Sequence, residues 1–507
     1  MMSRAARTIQ AAAVLVLGAW AVVTAAAAAP TQLTEQQARH FLIRTGFAPT
    51  QAEVDALTGQ SAEAAVTTSL ARAKAAKSLN PPPDFTTQAP PTPRYLLKTA
   101  DERQAYNREQ YRQALDLKSW WVREMIESPA PLAERMTLFW HNHFATSMQK
   151  VVHAQAMWRQ HQVLRADALG SFATLLHAVA KDPAMLVYLD GANSRREAPN
   201  ENFAREVMEL FTLGEAGQGG GYTESDIREA ARAFTGWSVE RADFSYRYRP
   251  AFHDDGAKTV LGQSGPFNGD QVLDILLDQP ATARFITSKL WKEFVSPTPE
   301  AKEVDRIAQR LRASHYDVSV ALRELLLSDA FWAPGQRGSL IKSPIDLVVG
   351  SVRQFSISYT DALPLVLSSA QLGQNLLMPP NVKGWPGFTD WINATQLLER
   401  KRFSERLFRP ADAMQTAAGP GNNRILAGLM GSDGMQRLAQ ASAKISFDAD
   451  KWFAIHGGRA DSEPSEEFKT RLALMALESP ATQNIANGTV AAAYLRALML
   501  DPAYQLK

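Results

Sequence analysis

From Leu33 onward apolar residues return every three or four positions, and runs of alternating β-branched residues are few. The pattern predicts a mainly α protein, a multi-helical globular body with a small β-hairpin or loop insertion around residues 238–268. That insertion is marked by SVERADFSYRYRPAFHDDGAKTVLGQSGPFNGD, where aromatics alternate with charges and glycines recur. Residues 33–79 read as an N-terminal helical unit. Residues 80–95, NPPPDFTTQAPPTPRY, are too proline-rich for a helix and read as an extended linker or wrapping arm. Residues 96–410 form the helical core, and 411–507 comprise a looser excursion, to about Gly458, and C-terminal helices. A weak echo links LRELLLSDAFW (Leu322 to Trp332) with LRALMLDPAYQ (Leu495 to Gln505), which share leucine-rich helices ending in a small-acidic turn and an aromatic.

The densest directed polarity lies between Pro199 and Asp255. At 100° per residue Asn202, Arg205, Glu206 and Glu209 share a sector of about 100°, while Phe203, Ala204, Val207, Leu210 and Phe211 fill the opposite face. Gly214 ends this helix. An ordinary solvated face with an Arg205 to Glu209 pair is the plain alternative. Thr223 and Asp226 then fit a capped second helix whose buried stripe is Ile227, Ala230, Ala231 and Phe234, with Glu229 at its edge. Gly219, Gly220 and Gly221 permit a sharp reversal between the two.

Histidines supply the remaining donors. PLAERMTLFWHNHF reads as a helix with His143 on its apolar side and His141 nearer Glu134, two side chains pointing about 160° apart. A histidine on an apolar face is more often hydrogen-bonded in a core than a ligand. His253 and Asp254 sit in the glycine-bearing loop, where a turn explains the aspartates but not the histidine. Together His141, Glu206, Glu209 and His253 would supply mixed nitrogen and oxygen ligands for a divalent metal, zinc, iron or manganese. Arg205 would then bind an anionic substrate group and Asp254 would act as base or support a ligand. No HExxH, P-loop, GxGxxG or GxSxG pattern points elsewhere. A second constellation, MPPNVKGWPGFTDWINATQ, places Trp385, Phe388 and Trp391 among prolines and glycines. Exposed, these rings would stack on sugars or a partner chain; buried, they anchor the loop.

Composition narrows the chemistry. The 507 residues contain no cysteine, which excludes disulfides, thiol nucleophiles, zinc thiolates, cysteine-ligated clusters and CxxCH haem attachment. Residues 1–29 carry Arg4 and Arg7, an apolar run from Ala11 to Val23 and a small-residue end at Ala27 to Ala29. This is a secretory signal layout with cleavage near Ala29, giving a periplasmic or secreted chain; an uncleaved anchor is the alternative. Cleavage takes away two arginines and lowers the formal charge from +2 to zero, so no electrostatic case for nucleic acid or an anionic membrane survives.

The segments FWHNHFA, PNENFAREVMELFTLG, YTESDIREAARAFTGW, FHDDGAKTVLG and MPPNVKGWPG resemble, in order, the bacterial family catalogued as domain of unknown function 1800. The likeness covers most of the chain from about Leu33. It implies an exported, mainly helical protein. Such genes often lie beside those of exported proteins related to the alkaline phosphatase and sulfatase superfamily, which implies a partner of that kind or a shared periplasmic substrate. The family has no established activity, so the resemblance supplies no catalytic residue. Two expectations follow: a metal-dependent periplasmic enzyme, a hydrolase first, with a polar cleft around Glu206 and Glu229; or a non-catalytic periplasmic binding or assembly protein in which the same charges pair with one another and the Trp385 to Trp391 loop carries recognition.

Overall fold

The computed structural model describes residues 29–408 and 420–507; the leader segment expected at residues 1–29 falls, but for Ala29, outside the described residues, as do positions 409–419, the end of the expected helical core and the start of the excursion. Helix starts follow local chemistry. Thr34, Thr50, Thr99, Thr223, Asn268 and Ser343 each open a helix with a reciprocal capping box. Prolines open Pro131–His143, Pro280–Phe294 and Pro344–Gln354, where the missing N–H costs nothing.

The protein is mainly α-helical. Strands among the described residues form two antiparallel pairs, Trp237–Glu240 with Ser245–Tyr248 and Lys258–Val260 with Gln263–Gly265. The expected small β insertion is therefore present as two hairpins rather than one. The proline-rich segment wraps: Asn80 donates its backbone N–H and its side-chain amide to Glu124 at 2.7 and 2.9 Å, and Phe85 is buried. Past the undescribed stretch, Pro420–Ser442 breaks at Gly431 in a positive-φ conformation, and three further helices follow. The echoed segments share a form, each a helix followed by a short capped turn whose aromatics are buried: Phe331 and Trp332 in one, Tyr504 in the other.

Two hydrophobic cores organise the molecule. One collects residues from Leu33 to Trp332, and the other joins the helix Ala100–Glu127 to the C-terminal helices from Pro344 onward. The helix Pro131–His143 belongs to both, giving Met136, Phe139 and Trp140 to the first and Leu138 to the second. Its last turn therefore lies on the seam. No described helix is long and apolar enough to cross a membrane.

Candidate functional site

The helix Glu201–Glu206, capped by Asn200, passes directly into a π-helical turn, Val207–Leu213, which Gly214 ends at φ 84°. Thr212 Oγ1 donates to Val207 O at 2.7 Å, five residues back. A π-turn advances less than 100° per residue, so the face drawn for Glu206 and Glu209 is displaced from its α-helical projection. Arg205 makes a bidentate pair with Glu224, 2.7 Å on each arm, and feels Glu201 and Glu209 only through space. The expected Arg205 to Glu209 pair is replaced, and with it the free guanidinium for a substrate anion. This clasp is half-exposed, so Arg205→Ala is expected to leave the thermal midpoint within experimental scatter, as calorimetry would check.

The His253 loop is also occupied structurally. Asp254 receives Arg232 Nε at 2.7 Å and Nη2 at 3.1 Å, and those hydrogen bonds hold its carboxyl below the usual range. Both of its oxygens are therefore already engaged by Arg232. His253 is buried, with Nδ1 2.9 Å from Thr235 O. His141 lies in an aromatic interior beside Trp121, away from solvent. Among the described residues no three histidine or carboxylate side chains come close enough to hold a metal ion. His141, Glu206, Glu209 and His253 therefore do not meet in one centre: the histidines turn inward on separate elements while the glutamates stay half-exposed. Burial and then Glu209 raise the Glu206 carboxyl.

A cleft opens instead on the seam between the two cores, with a volume of about 280 Å³. One wall is the last turn of Pro131–His143, a second is Pro280–Phe294, and a third is the loop Trp385 to Trp391. On Pro280–Phe294 the residues Ile286, Leu290, Trp291 and Phe294 are buried, and Lys289, Lys292 and Glu293 fall on the remaining sector of about 100°. Asn142 fixes the third wall, since its Oδ1 accepts Trp385 N–H at 2.6 Å. Gly384 has φ 88° and sits against Asn142 so closely that no Cβ would fit. Phe388 is left-handed at φ 55°, a strain of roughly 1–2 kcal/mol in a residue that lines the cleft.

Five cationic side chains, Arg135, Lys289, Lys292, Lys383 and Lys507, line the cleft against two carboxylates, Glu293 and Asp346. The floor compensates itself: Arg135 bridges Asp346 and Glu293, and Lys507 Nζ lies 2.7 Å from Asp346. Lys383 on the rim pairs with Glu215 at 3.0 Å and also feels Glu206 and Glu209, so the glutamate face adjoins the cleft there. Among the described residues Lys289 and Lys292 have no carboxylate partner. Lys289 Nζ donates to His143 Nδ1 at 2.9 Å, and His143 Nε2 donates to Phe211 O at 3.1 Å, an arrangement that fixes a neutral imidazole. Burial and the neighbouring Lys289 keep His143 neutral; burial, reinforced by Lys292, lowers Lys289 to about 8. Trp385 lines the same cleft, is 4% exposed, and has no partner for its buried indole N–H among the described residues.

Trp385 and Trp391 are thus buried loop anchors, and Phe388 is the partly exposed ring. Lys289 and Lys292 were not legible as site residues: within TSKLWKEF they look like the solvated charges of any amphipathic helix.

The family model described as "Protein of unknown function (DUF1800)" matches residues 40–506, and the chain belongs to that family. No curated protein and no solved structure matches it.

Proposed function

We propose that the chain is an exported binding protein whose seam cleft takes the anionic group of a ring-bearing ligand, such as a sugar acid or a sulfated sugar. The observation that carries this reading is a pair of lysines without a carboxylate partner among the described residues, Lys289 and Lys292, in the same cleft as a Trp385 indole N–H that is likewise unsatisfied among them. All three are donors, and an oxyanion is the acceptor that answers them. Phe388 offers the adjacent apolar face. The leader layout at Arg4 to Ala29 supports export.

Lys289 makes the reading testable through two opposed effects. Its folded pKa lies below the ordinary lysine value, so the native state binds this proton less well than the unfolded chain, and a charge at neutral pH opposes folding. Lys289→Met is therefore expected to raise the thermal midpoint at pH 7 while weakening anion binding about tenfold or more, the loss of one charge-assisted hydrogen bond. Tryptophan fluorescence titration with galacturonate, glucose 6-sulfate and neutral glucose reads the binding. Equal affinity for neutral glucose, or wild-type affinity in the variant, would sink the proposal.

A second reading, hydrolysis in the same cleft, draws on the Lys289 and His143 pair. A lysine near 8 against a neutral imidazole is placed to give a proton to a departing oxygen. Its signature is turnover that falls as pH rises through about 8 and is absent in Lys289→Met.

A further inference from the structure

Away from the cleft, His141 on Pro131–His143 and His161 on Ala154–Ala166 lie close together inside the protein, each fully buried, with ring centres 6.2 Å apart and planes tilted by 40°. None of their four ring nitrogens has a hydrogen-bond partner among the described residues. Each such group costs about 1–3 kcal/mol in a folded chain. Trp121 lies beside both rings, 4.9 Å from His141 and 4.6 Å from His161, and Trp120 and Trp158 enclose His161.

Burial, the largest cause for each, pushes both imidazoles down, His141 to about 4. Of the charged groups near them, Glu134 accepts Trp121 Nε1 at 3.2 Å and is clasped by Arg165 at 2.8 and 2.9 Å, and buried Glu124 acts on Glu134 in turn. No third imidazole or carboxylate completes a group with them among the described residues. A divalent ion would lack both ligands and compensating charge there. A soft monovalent ion accepts two nitrogen ligands and brings a single charge. With metal–nitrogen bonds of about 2.0 Å and each nitrogen about 1 Å from its ring centre, a linear bridge sets the centres about 6 Å apart. The indole of Trp121, its N–H held by a carboxylate, adds a cation–π surface.

We propose that His141 and His161 form a two-coordinate site for a soft monovalent metal ion of the copper(I) and silver(I) class, seated beside Trp121. Local opening of the helix pair admits it. The test uses the leaderless full chain with silver(I), then copper(I) held by a competing chelator. The expected result is a single tightly bound ion that quenches tryptophan fluorescence, with copper X-ray absorption showing two nitrogen neighbours. His141→Phe and His161→Phe are each expected to lose about 100-fold or more in affinity, with galacturonate titration of the cleft unchanged. No ion bound by the native chain, or variants that bind as it does, would overturn the site. Should His161→Phe fail to fold, His161→Met decides: a sulfur neighbour appearing in the copper spectrum supports the assignment, and an unchanged two-nitrogen spectrum defeats it.

Discussion

Gly384→Ala is expected to lower the thermal midpoint sharply and to abolish ligand binding in the seam cleft. The backbone there has φ 88°, and the added Cβ would lie 2.5 Å from the Asn142 carbonyl oxygen and nearer still to its side-chain amide. Left-handed backbone costs an L-residue roughly 1–2 kcal/mol. The overlap adds about 1–3 kcal/mol, because the carbonyl belongs to a helix end and cannot rotate away. Asn142 Oδ1 can move, but only by releasing Trp385 N–H and with it the wall that carries the Trp385 indole. Gly387, three residues on, has open space at its Cβ position and no positive φ. Gly387→Ala is therefore expected to leave the midpoint unchanged. Scanning calorimetry of both variants beside fluorescence titration checks the pair. A tolerated Gly384→Ala would mean that the Asn142 contact does not position the loop.

The same contact shows what a linear reading can and cannot reach. HNHF and VKGWPG each stood out in the sequence as a dense local pattern, and the helix Pro131–His143, the capped helix opened by Thr223 and the π-turn's stop at Gly214 all follow from spacing and capping chemistry. Their meeting does not, because Asn142 and Trp385 are joined across 243 positions by a fold that only packing decides. The facing of Glu206 and Glu209 is hard to read for a different reason. A helical wheel assumes one turn geometry, and the Val207–Leu213 π-turn breaks that assumption at the residues whose facing mattered most. His141 was singled out for its donor atoms, yet its neighbour in space is His161, a residue whose helix offers no periodic signal of a partner. Lysines mislead in the opposite sense: Lys289 and Lys292 look solvated in sequence and acquire meaning only because the floor carboxylates are already consumed by Arg135 and Lys507.

That consumption sets up the second large effect. Asp346 is 2% exposed, and it receives Arg135, Lys507 and, through its other role as helix cap, Ser343 N–H at 2.9 Å. Burial alone would raise its carboxyl, but the two cations outweigh burial and hold it far below the usual carboxylate range. Asp346→Ala strands Arg135 and Lys507 with only Glu293 between them, and is expected to cost about 3–5 kcal/mol. The sign of the pH dependence follows from the depressed value. The stabilisation is fully present above the ordinary carboxylate range and is lost as pH falls below it, since the unfolded chain takes up that proton first. Wild-type midpoints measured from pH 7 down to pH 3 should therefore drop, while Asp346→Asn, which keeps the capping reach but not the charge, starts lower and falls less. Its cleft should respond in the opposite direction. With one negative charge removed beneath Lys289, anions at low salt are expected to bind Asp346→Asn more tightly than wild type, and the gain should fade as ionic strength rises. A variant that loses stability and affinity together would show that the floor shapes the cleft rather than tuning its charge.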